Sequence, residues 1–254
     1  MKTQKRILGV KVDGIDYDQV LQDVFQEKEL RAGNYIAVAN VHMIMEAYHD
    51  SSFQNMINNA FLVTPDGMPL VWGLKLLGVK DVKRVYGPDL VLRICEEAEK
   101  FHLPVGFYGG TNSTLAKLRG ELILKYHGLK IKYSYVPPFT TLNQLEDDKI
   151  VEEIKAAQLK ILFVGLGCPK QERWMYEHRE KINCTMIGVG AAFDFIAKTK
   201  PQAPIWMQQK GLEWLFRLIT EPRRLWSRYL LNNPHFVILV TIQILKEYLV
   251  RKKQ

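Results

Sequence analysis

The chain has 254 residues, 47% hydrophobic and 24% charged, with a net charge of +8, which fits a globular protein with a substantial core. Three scattered cysteines, Cys95, Cys168 and Cys184, form no C-x-x-C pair, which argues against a disulfide framework or zinc ribbon and fits a reducing cytoplasm. No apolar run is long enough to span a bilayer, the six histidines form no H-x-x-x-H pair, and Lys11 and Asp13 follow the basic N-terminus too soon for a signal peptide.

Residues 7–12 read as a strand, and Asp13-Gly14 as the turn after it. Asp16-Tyr17-Asp18 precedes a helix through Val20, Leu21, Val24 and Phe25. The D-x-D form holds a divalent cation in some sugar-nucleotide enzymes, but its place before an amphipathic helix suits N-capping better. Residues 34–39 form a second strand that ends at Asn40, a helix cap or a ligand contact. Residues 61–63 are a short buried strand that stops at Thr64-Pro65. Asp66-Gly67 follow, and Met68, Leu70, Val71, Leu74 and Leu77 resume at helical spacing. Such a junction places the Asp66 carboxylate at the carboxyl edge of a sheet, where open α/β folds bind ligands. Asp is equally a favoured N-cap, and Pro-Asp-Gly is turn chemistry.

Arg84 lies in a loop before a helix opened by Pro88. Residues 104–108 are a strand, and Gly109-Gly110-Thr111-Asn112 lead into the next helix. Glycines there let backbone N–H groups approach a phosphate, although the full G-x-G-x-x-G pattern is absent. A strand over 129–136 ends at Pro137-Pro138-Phe139, and a helix over 142–157 carries Glu146, Asp147 and Asp148 near its start. Residues 161–164 form a strand, and Gly165 to Gly167 open a helix with Lys170 and Gln171 in its first turn. No G-K-[ST] follows, so this is a glycine loop for anions or polar ligands rather than a nucleotide P-loop. A last strand over 185–189 leads to small residues at 190–192. The alternation of strands and helices predicts a mainly parallel sheet covered on both faces.

Residues 198–204 read as a join to a tail of different character. Residues 205–254 hold nine Lys or Arg and three Glu, a net +6, which leaves +2 for the first 204. The tail reads as three helices: 205–219, one from Pro222 with Arg224 and Arg228 on one face, and a third after Asn232-Asn233-Pro234. Basic residues mixed with Trp, Leu, Ile and Val suit a membrane surface, and an amphipathic helix packed on its own core is the alternative.

FLVTPDGMPLVW (61–72), RVYGPDL (84–90), FVGLGCPKQERWM (163–175), IGVGAAFDF (187–195) and GLEWLFRLITEPRRLWSRYLLNNP (211–234) together resemble the WecG/TagA/CpsF family of bacterial glycosyltransferases. The resemblance covers nearly the whole chain. It implies a Rossmann-like α/β catalytic domain over 1–200 and a helical, membrane-associating appendage over 201–254. The implied enzyme is cytoplasmic, peripheral at the inner face of the membrane, inverting and independent of metal or other cofactor. It takes a hexose or N-acetylhexosamine, such as N-acetylmannosamine, from a UDP-sugar to a polyprenyl diphosphate-linked sugar in cell-surface polysaccharide synthesis. The wording TPDGMPLVW is closer to exopolysaccharide than to teichoic acid members. The resemblance puts Asp66 at the proposed general base and Asn40, Arg84 and Gln171 at substrate-contacting positions. Arg217, Arg224 and Arg228, with Arg223 beside them, fall in the appendage thought to close over the site.

Direct displacement needs a base for the acceptor hydroxyl and a device to hold the departing diphosphate. Asp66 suits the first, and arginines with the N–H groups of Gly109, Gly110, Gly165 and Gly167 suit the second. Rival readings are a nicotinamide-dependent oxidoreductase, a nucleic-acid-binding protein and a non-catalytic membrane adaptor. The incomplete glycine fingerprint and the apolar character of the tail weigh against the first two. The sequence leaves a homo-oligomer open.

Overall fold

The computed structural model describes residues 3–25, 33–138 and 143–252. Phe139, Leu142 and Lys253, which the sequence reading placed at element ends, lie outside them.

Six parallel strands form the sheet: β3 (Tyr35–Ala39), β4 (Leu62–Pro65), β5 (Val105–Gly109), β6 (Ile131–Tyr135), β7 (Ile161–Gly165) and β8 (Thr185–Gly188). Their order is β4-β3-β8-β7-β5-β6. Alternation along each strand feeds two faces. Ile36, Val38, Phe107, Phe163 and Ile187 point into one core, where the Phe107 and Phe163 rings stack at 5.3 Å. Ala37, Ala39 and Val63 point into a second, and Tyr108, Leu162, Val164 and Met186 into a third. The expected helix-covered parallel sheet is therefore present.

The helices are α1 (Tyr17–Phe25), α2 (Val41–His49), α3 (Ser51–Asn58), α4 (Met68–Leu76), α5 (Gly87–Lys100), α6 (Asn112–Lys125), α7 (Gln144–Ala156), α8 (Lys170–His178), α9 (Ala192–Ile196), α10 (Ile205–Gln209), α11 (Glu213–Thr220) and α12 (Pro222–Arg251). The first turn of α1 supports the capping reading of Asp16, whose carboxylate accepts from the Gln19 N–H at 3.2 Å.

Three local readings change. The expected strand over 7–12 is a hairpin, β1 (Thr3–Ile7) and β2 (Val10–Gly14), reversing at Leu8 (φ 48°) and Gly9 (φ 90°). Positive φ at both turn residues matches strand twist, but Leu there gives no turn signal, and Asp13-Gly14 lies inside β2. Asp13 instead accepts from the Val63 N–H at 2.7 Å, which covers the edge of β4. The helix expected over 205–219 breaks at Gly211 (φ 71°) into α10 and α11.

The third change concerns Pro234, which sits inside one helix, α12, rather than between two. Proline removes one intrahelical hydrogen bond, and packing on both sides outweighs that loss. Leu225 and Tyr229 before it, and Phe236 and Val240 after it, are buried on one stripe. Phe236 and Val240 join the core beside α2 and α4. Gln243 then clamps the hairpin turn, donating to the Arg6 carbonyl at 2.7 Å and accepting from the Leu8 N–H at 3.0 Å.

Candidate active site

The carboxyl ends of β3 and β4 place Asn40 and Asp66 side by side, and the Asp66 N–H bonds the Ala39 carbonyl at 2.8 Å. Asn40 caps α2 by accepting from the Met43 N–H at 3.3 Å. Asp66 does not cap α4: Gly67 holds that position without a side-chain bond. Its carboxylate is thus left for other work. The segment after α4 runs beside β4, tied by the Val85 N–H to the Pro65 carbonyl at 2.9 Å, and carries Arg84 inward. Arg84 is mostly buried and paired rather than a solvated loop cation. Its Nε donates to the Asp66 carbonyl, and its Nη2 reaches Asp66 Oδ1 at 3.1 Å and Glu213 Oε2 at 2.6 Å. The Tyr86 ring lies 4.2 Å beneath its guanidinium.

These groups border a cavity of about 90 Å³ that α11 and α12 close with Glu213, Trp214, Arg217, Arg228 and Tyr229. Arg217 Nε and Arg228 Nε are buried without a hydrogen-bond partner among the described residues. Among the described residues no acid forms an ion pair with either guanidinium, whereas Arg224 is paired with Glu221 at 2.6 Å. Two half-buried cations with buried Nε atoms on one wall call for an anionic occupant.

Burial pushes the Asp66 carboxyl up to about 6, Arg84 opposes that, and Glu213 adds to it. Burial alone would lower Arg84, but the Asp66 and Glu213 carboxylates outweigh it and raise its pKa. Burial and the like charges of Arg217 and Arg224 lower that of Arg228. A carboxylate near 6 is ionised at neutral pH yet basic enough to accept a proton.

A larger cleft of about 790 Å³ opens over the ends of β5, β7 and β8, lined by Gly109, Gly110, Gly167, Lys170, Trp174 and Arg224. The chain leaves β3 toward β4 and β5 toward β6 in opposite directions, so this cleft lies between diverging connections, where such sheets bind ligands. Gly109 (φ 118°) allows a close approach, since a Cβ there would stand 2.6 Å from the Gly165 backbone. The glycines are not the free donors expected from the sequence. The Gly110 N–H bonds the Gly165 carbonyl at 3.2 Å, and the Gly167 N–H bonds Gln171 Oε1 at 3.2 Å. They supply room, and the cations supply charge.

A model of the glycosyl transferase WecG/TagA/CpsF family matches residues 5–250. The chain belongs to this family. Relatives include proteins of Bacillus spizizenii (27% identical, covering 82% of this chain and 79% of the relative) and Staphylococcus aureus (27% identical, 89% and 91%). Both carry the name N-acetylglucosaminyldiphosphoundecaprenol N-acetyl-beta-D-mannosaminyltransferase.

In this WecG/TagA/CpsF glycosyltransferase, Asn40, Asp66, Arg84, Arg217 and Arg228 share the smaller cavity. Gly109, Gly110, Gly167, Lys170 and Arg224 share the larger. Gln171 borders neither. It is buried, and its Oε1 accepts from the N–H groups of Gly167 and Gly190 at 3.2 and 3.0 Å, holding the loops after β7 and β8. Arg223, the neighbour of the pair on α12, is exposed. Glu213 and His42 escaped the sequence reading. Glu213 sat in a tail read as basic, and its only signal was its place one turn before Arg217. His42 stands two residues past Asn40 and lines the same cavity; burial, then Arg228, lowers its pKa to about 4, so it is neutral. Among the described residues no group of three or more His, Cys, Asp or Glu is placed to hold a metal ion.

Proposed function

We propose that this glycosyltransferase transfers a hexose or N-acetylhexosamine, with inversion, from a UDP-sugar to a sugar on a polyprenyl diphosphate. Asp66 takes the proton of the acceptor hydroxyl, whose oxygen attacks the anomeric carbon. The bond to the β-phosphate breaks, and its electron pair leaves with UDP. The arginines offset the charge gathering on that leaving group, so the reaction proceeds without a divalent cation. The observation that carries this reading is the cavity at the β3 and β4 tips, where a mostly buried carboxylate shares the lining with two guanidinium groups that no acid among the described residues pairs with. Planar guanidiniums bind phosphate oxygens in pairs. The larger cleft takes the remainder of the donor, with Arg224 at its border toward α12.

The relatives' names supply the acceptor class, a diphosphoundecaprenol-linked N-acetylglucosamine, and a candidate donor sugar, N-acetylmannosamine. An acceptor of that kind lies in a bilayer. Among the described residues no helix is long and apolar enough to cross one. The outer side of α12 exposes Trp226, Leu230, Leu231, Val237, Ile238 and Leu249. Both tail readings therefore find support in one helix: one stripe packs on the core, and the opposite stripe is free for the interface. We place the enzyme at the inner face of the membrane, held by that stripe and nearby basic residues, with 201–254 as the appendage to a catalytic body.

The test is a panel of UDP-sugars incubated with polyprenyl diphosphate-linked acceptors in excess EDTA, with products read by mass spectrometry. Transfer of one hexosamine or hexose is expected. Loss of transfer in EDTA that magnesium restores would overturn the metal-free reading, and no product across the panel would overturn the enzyme assignment.

A further inference from the structure

We propose that Glu213 is a positioning residue for the transfer: by sharing the Arg84 guanidinium with Asp66, it couples the docking of α11 to the readiness of the base. This rests on Asp66 being the base.

The geometry is a three-membered chain. Arg84 Nη2 carries two hydrogens, and its contacts with Glu213 Oε2 (2.6 Å) and Asp66 Oδ1 (3.1 Å) place a carboxylate near each. All three side chains are more than four-fifths buried. Glu213 comes from the first turn of α11, whereas Asp66 and Arg84 come from the sheet edge. The contact therefore exists only while α11 is seated.

A guanidinium that belongs to Asp66 alone neutralises it and makes it a weak base. A guanidinium divided between two carboxylates leaves one negative charge in excess, and the Asp66 carboxylate regains basicity. The other groups facing Asp66 are Arg217 on α11, Tyr17 on α1 and Tyr86 beside α5. His42 on α2 and Arg228 on α12 share its cavity. Both tyrosines hold pKa values raised by burial, and His42 is neutral, so the charges that set the balance are Arg84, Arg217 and Arg228 against the two acids. Seating α11 thus does two things at once. It brings Arg217 to the leaving group, and it brings Glu213 to draw Arg84 off the base.

The experiment is the pH dependence of kcat/KM for the full chain and for Glu213→Gln and Glu213→Asp. Melting curves first establish that each variant folds. Gln can keep a hydrogen bond from Arg84 and removes the charge; Asp keeps the charge and withdraws it by one methylene. The acid limb should move to lower pH by about one unit in Glu213→Gln and by less in Glu213→Asp, with a several-fold lower plateau in each. A residue that only holds α11 in place would lower the rate equally at every pH, so acid limbs that superimpose on the parent's in either folded variant overturn the proposal. Asp66→Asn in the same assay separates the two readings. If it retains turnover, the base assignment fails and this inference with it. If it is inactive while the Glu213 limbs stay fixed, only the role of Glu213 fails.

Discussion

Arg224 and Arg228 stand one turn apart on α12, yet each borders a different cavity: Arg224 the large cleft over β5, β7 and β8, Arg228 the small one that holds Asp66. Four helical residues advance roughly 6 Å, about the span of a diphosphate with its bonded sugar atoms. One helix face therefore borders both cavities. The two arginines differ in their free state, because Arg224 is held by Glu221 and exposed, whereas Arg228 is more buried and has no acidic partner among the described residues.

That difference predicts unequal mutational costs. Arg228→Ala should reduce kcat/KM by roughly 100-fold or more, as expected for a desolvated contact to a charge that grows in the transition state. Arg224→Ala should cost roughly ten-fold or less, since Arg224 must first leave Glu221. Arg228→Lys should recover only part of the loss, because a point charge replaces a planar fork. Steady-state kinetics on the three variants, with UDP binding by calorimetry, decide the order. Equal losses at 224 and 228 would contradict it.

Asp66→Asn keeps the shape of the side chain and removes the base. Turnover should fall by roughly 10²- to 10⁴-fold, the usual worth of a positioned base, while UDP still binds. A loss of UDP affinity in step with the loss of rate would assign Asp66 to donor binding instead.

Glu172 makes a prediction about stability. It is fully buried beneath the β7 loop, beside the Cys168 thiol; Oε1 accepts from Gln171 Nε2 at 2.6 Å, and Oε2 meets the geometry of a hydrogen bond with none of the described residues. Burial pushes its carboxyl up to about 7 from an ordinary 4.5. The folded form therefore keeps the proton to about pH 7 while the unfolded chain releases it near 4.5, so this group makes stability fall as pH rises across that window. Glu172→Gln preserves the accepted hydrogen bond and removes the titration. The variant should gain about 3 kcal/mol on the parent at pH 8, a gain that shrinks toward pH 4.5. Urea midpoints at pH 5 and pH 8 measure it, and a gain independent of pH would refute the assignment.

The outer stripe of α12 can be tested without disturbing its inner one. Val237 and Ile238 are each 58% exposed, whereas Phe236 and Val240 lie in the core. Replacing both exposed residues with Glu should change stability by roughly 0.5 kcal/mol or less. Co-sedimentation with anionic vesicles should drop several-fold, from lost apolar contact and added like charge. Undiminished sedimentation would remove this stripe from the interface. Deleting the tail is a poorer test, because it also strips Phe236 and Val240 from the core.

Gly109→Ala places a Cβ 2.6 Å from the Gly165 backbone at φ 118° and should destabilise by roughly 2 to 4 kcal/mol. Gly120, exposed on α6 with nothing within 4 Å, is the control: Gly120→Ala should stabilise by roughly 0.5 to 1 kcal/mol. Thermal melts of the pair check both signs.

The amino-acid order alone determined the sheet, the strand tips and the residues standing on them. Apolar runs near Tyr35, Leu62 and Ile161 and helical spacing after Met68 are set by neighbours a few positions away, so local pattern discloses them. The family resemblance then named Asp66 and the arginines. Local pattern failed where the deciding partner is distant. Leu8 takes a positive φ within a hairpin whose turn Gln243 clamps. Pro234 stays helical because Phe236 and Val240 find a core. Gln171 lies outside both cavities because Gly167 and Gly190 converge on its amide oxygen. Tertiary structure alone decided that Arg84 answers to two carboxylates, one 18 and one 129 residues away. No periodicity encodes that second meeting, since it exists only once α11 has folded back over the edge of the sheet.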